Sequence, residues 1–339
     1  MHPEVKYIGF LMLLYAGTTS IFSFKYSLII SIVKKLKQWS KSAGNINVIL
    51  FKFKLEQYMN NGTSETLRGE TIINTEQIKL VSVHVPKHLK PLNDEEFGHY
   101  LAGLIDGDGH FSNNLQLVIV FNKLDVSLAY YIKGELGYGN VKKVKDKNAF
   151  ILVIFSINGI YKTLNLINGK LRTINKLSQV NNNIINHKRF LNLKSDIKFE
   201  LNLNNSLNNH WLAGFSDADA SFQIKLVVRD NKTETRLNYQ VDQKNKDLLV
   251  EIKNFFGGNI GYREKQDTYY YGSTSFGSAK KVISYFDKYH LLSSKHLNYL
   301  KWRKAYLIIQ SKNHLNTEGL NKITKLKSTM NSLSVDSLR

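Results

Sequence analysis

No cysteine occurs among the 339 residues, which excludes disulfides, a Cys-ligated zinc site, an iron–sulfur cluster and a thiol nucleophile. Proline is nearly as scarce: Pro3, Pro86 and Pro91 are the only three, so the last 248 residues contain none. Acidic side chains are also few, 27 Asp and Glu against 47 Lys and Arg, and no Asp precedes Asp94. The formal charge of +20 excludes an acidic or charge-balanced enzyme. It points to a polyanionic partner, because each phosphate neutralised by a cation releases counterions and adds affinity whatever the sequence. A generic basic surface is the plainer alternative. With 42% hydrophobic and 12% aromatic residues, the chain has enough apolar material for one or two packed cores, and global disorder is excluded.

The charge is spread along the chain. Residues 1–92 carry 12 basic and 5 acidic side chains, a balance of +7, which leaves +13 for the remainder. Tyr7 to Phe24 is an uncharged stretch of 18 residues, at the lower limit for a membrane-spanning helix, and Thr18, Thr19 and Ser20 weaken that reading. The basic amphipathic segment KKLKQWSKS that follows suits a membrane surface or nucleic acid. Residues 40–92 show no sustained periodicity, so 1–92 is expected to be a basic leader, membrane-associated or processed.

The informative feature is an internal repeat. Residues 99–111 read HYLAGLIDGDGHF and residues 210–222 read HWLAGFSDADASF, identical at seven of thirteen positions. The similarity continues from IKGELGYGNV at Ile132 to IKNFFGGNIG at Ile252, and the spacing grows from 111 to 120 residues, so the second copy has the longer first hairpin. The Asn-rich segment 196–209 between them suits a linker. The expected organisation is a leader (1–92), a first half (93–195), the linker, a second half (210–331) and a tail (332–339). Asn93 with Glu96 forms a capping box ahead of the first motif, and Asn208 or Asn209 can cap the second, placing each motif on a helix. Two hairpins and further helices follow in each copy, giving αββαββα twice. In QIKLVVR, Ile224, Leu226 and Val228 should face one way, with Gln223, Lys225, Val227 and Arg229 facing the other.

Ala102 and Gly103, mirrored by Ala213 and Gly214, would let the two motif helices approach closely. Each helix then ends in a pair of aspartates, Asp106 with Asp108 and Asp217 with Asp219. A carboxylate at a helix C-terminus opposes the macrodipole, so stability alone would not select it. Side by side, the pairs would repel unless protons or a hard divalent cation intervene, and Mg²⁺ is the natural neutraliser. For one copy alone, an ordinary turn with Asp106 capping a neighbouring backbone would suffice. Two matched copies favour a function.

Both segments resemble the LAGLIDADG motif that names a family of homing endonucleases, and residues 93–331 are similar to its single-chain, two-motif members. The resemblance implies an α+β fold in which two pseudo-twofold halves form a saddle, with curved antiparallel sheets along the DNA major groove and the motif helices at the central interface. It implies Mg²⁺-dependent hydrolysis at a double-stranded DNA target, with a staggered break, by a monomer. Asp108 and Asp219 would bind the metal, one for each strand. Lysines near each site are implied at Lys176 and Lys295, and water-positioning side chains at Gln243 and, in the first copy, Asn122. Ser216 and Ala220 depart from the motif, which implies looser packing in the second copy.

Arg and Gln pair bidentately with guanine and adenine edges, so Gln223, Lys225, Arg229, Arg236, Asn238 and Gln240 are the expected DNA contacts of the second half. The matching first-half strand, LQLVIVF, is almost wholly apolar, which shifts the expected contacts there to Gln116, Lys142, Lys143 and Lys145. His2-Pro3-Glu4-Val5 resembles a segment of mitochondrial cytochrome oxidase subunit 1, implying an intron-encoded, mitochondrial product. Two other readings remain: a maturase that binds its own intron RNA and assists splicing, alone or as a second activity, and a non-catalytic DNA-binding protein on the same scaffold.

Overall fold

The computed structural model describes residues 80–330, apart from 192–196, 205 and 230–231. All of these fall in one unit, Asn74–Arg339. The apolar stretch Tyr7–Phe24, the basic segment after it and the tail 332–339 lie outside the described residues. Among those described, no helix is long and apolar enough to cross a membrane.

The first motif forms helix α1 (Asp94–Asp108), and Asn93 accepts the Glu96 N–H at its start. The three acidic residues of the first turn complement the helix dipole. Strands β1 (Gly109–Ser112) and β2 (Gln116–Asn122) follow, then α2 (Val126–Leu136), β3 (Asn140–Lys143), β4 (Ala149–Ile154), α3 (Ile157–Ile167), α4 (Ile174–Val180) and the short α5 (Lys188–Leu191). The second motif forms α6 (Trp211–Asp219), where Asn209 caps the Trp211 N–H. It leads to β5 (Ala220–Arg229), β6 (Lys232–Gln243), α7 (Asp247–Phe256), β7 (Asn259–Arg263), β8 (Thr268–Gly272), α8 (Phe276–Phe286), α9 (Lys295–Gln310) and α10 (Thr317–Ser328). Each half thus follows αββαββα, with extra helices at its end.

The two antiparallel sheets have the same order, β1-β2-β4-β3 and β5-β6-β8-β7. On the first, Leu117, Ile119, Phe121, Leu152 and Ile154 are buried under α2, which presents Leu128, Ala129, Ile132 and Leu136. On the second, Phe222 and Tyr239 pack with Phe286, Tyr299 and Trp302 in an aromatic core beneath α8 and α9. The expected alternation along β5 holds in its regular pairing with β6, but burial on that face fades from Ile224 (4% exposed) through the half-buried Leu226 to Val228, which is 72% exposed. The longer hairpin carries it beyond the helices that could cover it.

Helices α1 and α6 cross with backbones in contact. A Cβ on Gly103 would lie 1.8 Å from the Trp211 carbonyl oxygen, and one on Gly214 would lie 1.9 Å from that of Tyr100. Only glycine fits either position. Ala102 and Ala213 are fully buried beside them.

Parts of the leader and the linker are tied to the halves. Near the end of the leader, residues 81–84 lie against α9: Val81 exchanges two hydrogen bonds with the Gln310 amide, and Arg303 donates to the Ser82 and His84 carbonyls. The Arg303 guanidinium is buried against Asp287, and its remaining donors need these acceptors. In the linker, Asn202 donates to Leu171 O, Gly169 donates to Glu200 O, and Leu207 is fully buried.

Candidate active site

Each motif helix runs into its first strand without a loop. The residue after α1, Gly109, is extended (φ −77°, ψ 151°), as is Ala220 after α6 (φ −98°, ψ 160°). Ala220 therefore needs no glycine, whereas a Cβ at Gly109 would sit 2.7 Å from the Ile105 Cα. The other departure, Ser216, is fully buried, and its hydroxyl pairs with Tyr239 Oη at 2.7 Å. Neither residue loosens the second half as the motif comparison implied.

The aspartates of each pair have different surroundings. Asp106 is buried and accepts from Arg172 N (2.8 Å), Thr173 N (3.2 Å), Thr173 Oγ1 (2.6 Å) and, from the opposite helix, Trp211 Nε1 (2.9 Å). Asp217 is buried and accepts from Leu292 N (2.7 Å), Ser293 Oγ and, again from the opposite helix, Tyr100 Oη (2.6 Å). Tyr100 and Trp211 hold the same place in the two motifs, so each helix supplies an aromatic donor to the other's inner aspartate. Burial raises both carboxyls, Asp106 to about 6, against the hydrogen bonds that hold the charged form. These inner aspartates fasten the segments leading into α4 and α9, which carry Lys176 and Lys295.

The outer aspartates face the seam. A Cβ on Gly107 would touch Ala218 and lie 3.2 Å from Asp219 Oδ2, so Asp219 lies against the residue preceding Asp108. Asp108 reaches solvent. Partial burial between the helix ends, then the charge of Asp219, lifts Asp108 to about 6 against the pull of Lys295 and Lys176. Burial also raises Asp219, opposed by Gln243 and the same two lysines.

Lys176 Nζ donates to Gly109 O, while Lys295 Nζ donates to Ala218 O (2.6 Å) and Ser216 O (3.2 Å). Lys295 therefore sits on the carbonyls that end α6, where the dipole favours a cation, and Lys176 sits on the first strand carbonyl beyond α1. Burial lowers both lysines, and the surrounding aspartates oppose the shift. Gln243, at the end of β6, donates Nε2 to Asp219 Oδ2 at 2.6 Å. Asn122 ends β2 at the matching place, but its Oδ1 accepts from Leu124 N and caps the turn into α2. The structure thus joins Asp108, Asp219, Lys176, Lys295 and Gln243, and leaves Asn122 otherwise engaged.

One further acidic group at the seam was not singled out from the sequence. Asp125 Oδ1 accepts the Ser294 N–H at 2.6 Å, tying the first half to the start of α9, and its charge helps lift Asp108. No local pattern marks Asp125, because its partner lies 169 residues away.

On the open face of the second sheet, Gln223, Asn238, Gln240 and Asp242 form a hydrogen-bonded row. Asn238, expected to contact DNA, is only 5% exposed. It lies beneath Gln223 and Gln240 and orients them. Lys225 is exposed, and Arg236 clamps Glu234 through two 2.9 Å bonds. The side chain of Arg229 lies outside the described residues. Arg263, missed in the sequence, pairs with Asp242 at 3.0 Å and lies over the Tyr270 ring on this same face. On the first sheet, Gln116 and Lys142 share the open face. Lys143 alternates to the other side, opposite Phe150, and Lys145 is exposed in the turn after β3.

The LAGLIDADG endonuclease family profile matches residues 212–306. An uncharacterised 37.2 kDa protein of cox1 intron 2 from Schizosaccharomyces pombe is 60% identical over 94% of this chain and 97% of its own length. The intron-encoded DNA endonuclease aI3 of Saccharomyces cerevisiae is 31% identical over 65% of each chain. Among solved structures, the meganuclease I-SmaMI bound to uncleavable DNA matches with a TM-score of 0.55 at 24% identity, covering 69% of this chain and 99% of that one. At that identity the likeness is one of fold.

Proposed function

The chain belongs to the LAGLIDADG endonuclease family, and from that premise we propose that it makes a staggered double-strand break at one DNA site, hydrolysing one phosphodiester in each strand. The observation that carries the proposal is the seam itself. Two carboxylates from matched helix ends, Asp108 and Asp219, lie beside each other, each with its own half-buried lysine.

Among the described residues no three His, Asp or Glu side chains form a metal cage by themselves. Two hard carboxylates nonetheless suit Mg²⁺, which takes one or two such ligands and fills the rest of its shell with water and phosphate oxygens. Asp108 and Asp219 would hold it. Bound there, the cation would neutralise the pair and stabilise charge developing on the scissile phosphates and leaving oxygens.

The chain's own residues contribute the rest. Lys176 and Lys295 are fixed cations beside the carboxylates and stabilise negative charge on the transferring phosphates. Gln243 orients Asp219 and, through its remaining amide oxygen, a water on that strand. The sheet faces position the duplex: Gln223, Lys225, Arg236 and Gln240 on one side, Gln116 and Lys142 on the other, with Lys145 at phosphates; Lys143, on the far side of β3, is left out of the contact set. The S. pombe relative's cox1 intron and the opening His2-Pro3-Glu4-Val5 support action in mitochondria on an oxidase gene lacking the intron.

The test is a plasmid carrying the oxidase exons joined across those codons. Incubation with Mg²⁺ should linearise it with staggered ends, and EDTA or Asp108→Asn should abolish cutting. An intact plasmid together with tight, selective binding of the intron RNA would overturn the proposal in favour of a splicing role.

A further inference from the structure

We infer that the open face of the first sheet reads its half of the target through apolar contact with thymine methyl groups, using Val118, Val120, Ile151 and Val153. The inference rests on the endonuclease reading and assigns a base class to residues whose apolar character had removed them from the expected contacts.

Strand β2 is apolar on both faces. Leu117, Ile119 and Phe121 fill the core, yet Val120 on the other face is 49% exposed and Val118 half-buried. Strands apolar on both sides are ordinarily covered on both sides, so an open apolar face calls for an occupant. The pairing register defines the patch. Val118 lies opposite Val153 and Val120 opposite Ile151, all on one face.

Its surroundings indicate what covers it. In the same rows, His110 pairs with Val118, Asn140 with Val153 and Lys142 with Ile151, and all three flanking side chains are exposed. An apolar centre with a polar and cationic rim matches base edges flanked by phosphates. The patch is also continuous with the proposed cutting site, since β1 begins immediately after Asp108 and His110 is its first open-face side chain. The corresponding face of the second sheet is a row of amides, so the two halves are built for different bases. In the major groove, the apolar feature a standard base pair presents is the thymine 5-methyl.

Uracil keeps thymine's hydrogen-bonding edge and lacks only the methyl. A preferred duplex would first be recovered by binding selection from a randomised library, and its thymines then replaced by deoxyuridine in one half-site at a time. Binding should weaken about three- to fivefold per replaced base in one half-site, with little change in the other. The combined Val118→Ser, Val120→Ser, Val153→Ser variant removes both methyls at each position on this open face and should lose this sensitivity while still melting cooperatively. If it does not fold, Ile151→Thr alone should show a smaller loss of the same kind. Indifference to uracil in both halves, equal sensitivity in both, or sensitivity that survives the substitutions would overturn the inference. So would a dimer in solution that Val120→Lys returns to monomer. Failure to bind any duplex would overturn the endonuclease reading and this inference together, whereas a duplex cut with indifference to uracil would overturn this inference alone.

Discussion

Gly103→Ala probes the helix seam most directly. In an ordinary helix the change would add about 1 kcal/mol of stability, because alanine has the better helix propensity. Here the new methyl would lie 1.8 Å from the Trp211 carbonyl oxygen and 2.8 Å from the Phe215 nitrogen, where ordinary contact begins at 3.4 Å. Both obstacles are backbone atoms, so no side chain can swing aside, and α1 and α6 must part by the difference. Overpacking of this kind costs about 1–3 kcal/mol, and a rigid obstacle places it at the upper end. After subtracting the propensity gain, a loss of about 2 kcal/mol is expected, or roughly 4–8 °C in Tm for a unit of this size. Gly134→Ala on α2 is the control. Nothing lies within 4 Å of its Cβ, so it should gain about 0.5–1 kcal/mol. Because the seam also sets the spacing of Asp108 and Asp219, Gly103→Ala should slow cleavage about a hundredfold, beyond any loss of binding. Adding Gly214→Ala should cost much less than it does alone, since the helices have already parted. Thermal melting and plasmid cleavage in Mg²⁺ would measure both effects. A Gly103→Ala protein that melts at or above the wild-type temperature and cuts at the wild-type rate would refute the backbone-to-backbone seam.

Three further outcomes are expected. Asp108 stands at about 6 when folded against an ordinary 3.8, so its ionised form destabilises the metal-free protein fully above pH 6, less as pH falls through 6, and not at all below 3.8. The gap is worth at most about 3 kcal/mol, and solvent screening of this exposed carboxylate reduces it to about 1 kcal/mol. Metal-free Asp108→Asn should accordingly melt higher than wild type at pH 7.5, with the advantage shrinking at pH 5; equal melting at pH 7.5 would contradict the assignment. Tyr100→Phe and Trp211→Phe each remove a donor to a buried aspartate, and urea unfolding should show losses of about 1.5–3 kcal/mol, whereas unchanged midpoints would mean the reciprocal bonds do not hold the seam. Lys295→Met should lower the single-turnover cleavage rate at least about a hundredfold while leaving DNA affinity within a fewfold, and a matching loss of affinity would reassign it to binding.

Much of the molecule could be read from short-range pattern. The doubled motif, its small residues and the Asn93 cap were enough to expect two helices in close contact, each followed by two hairpins, and the change in repeat spacing located the longer β5–β6 hairpin. Lys176 and Lys295 came from the resemblance to the endonuclease family. Positions governed by neighbours distant in sequence were read less well. Asn238 has the chemistry of a base reader and the surroundings of a supporting amide. Lys143 adjoins Lys142 in sequence but points to the other side of β3. Asn122 occupies the place of Gln243 but spends its oxygen on a turn.

By itself the sequence determined which residues repeat, which faces are apolar and where four aspartates fall at two helix ends, because helix and strand periods act over a few residues. Only the tertiary structure decided that Asp106 and Asp217 are sealed by each other's helices while Asp108 and Asp219 meet at the surface. That division depends on backbones separated by more than a hundred residues touching at Gly103 and Gly214, and no local period encodes such contact.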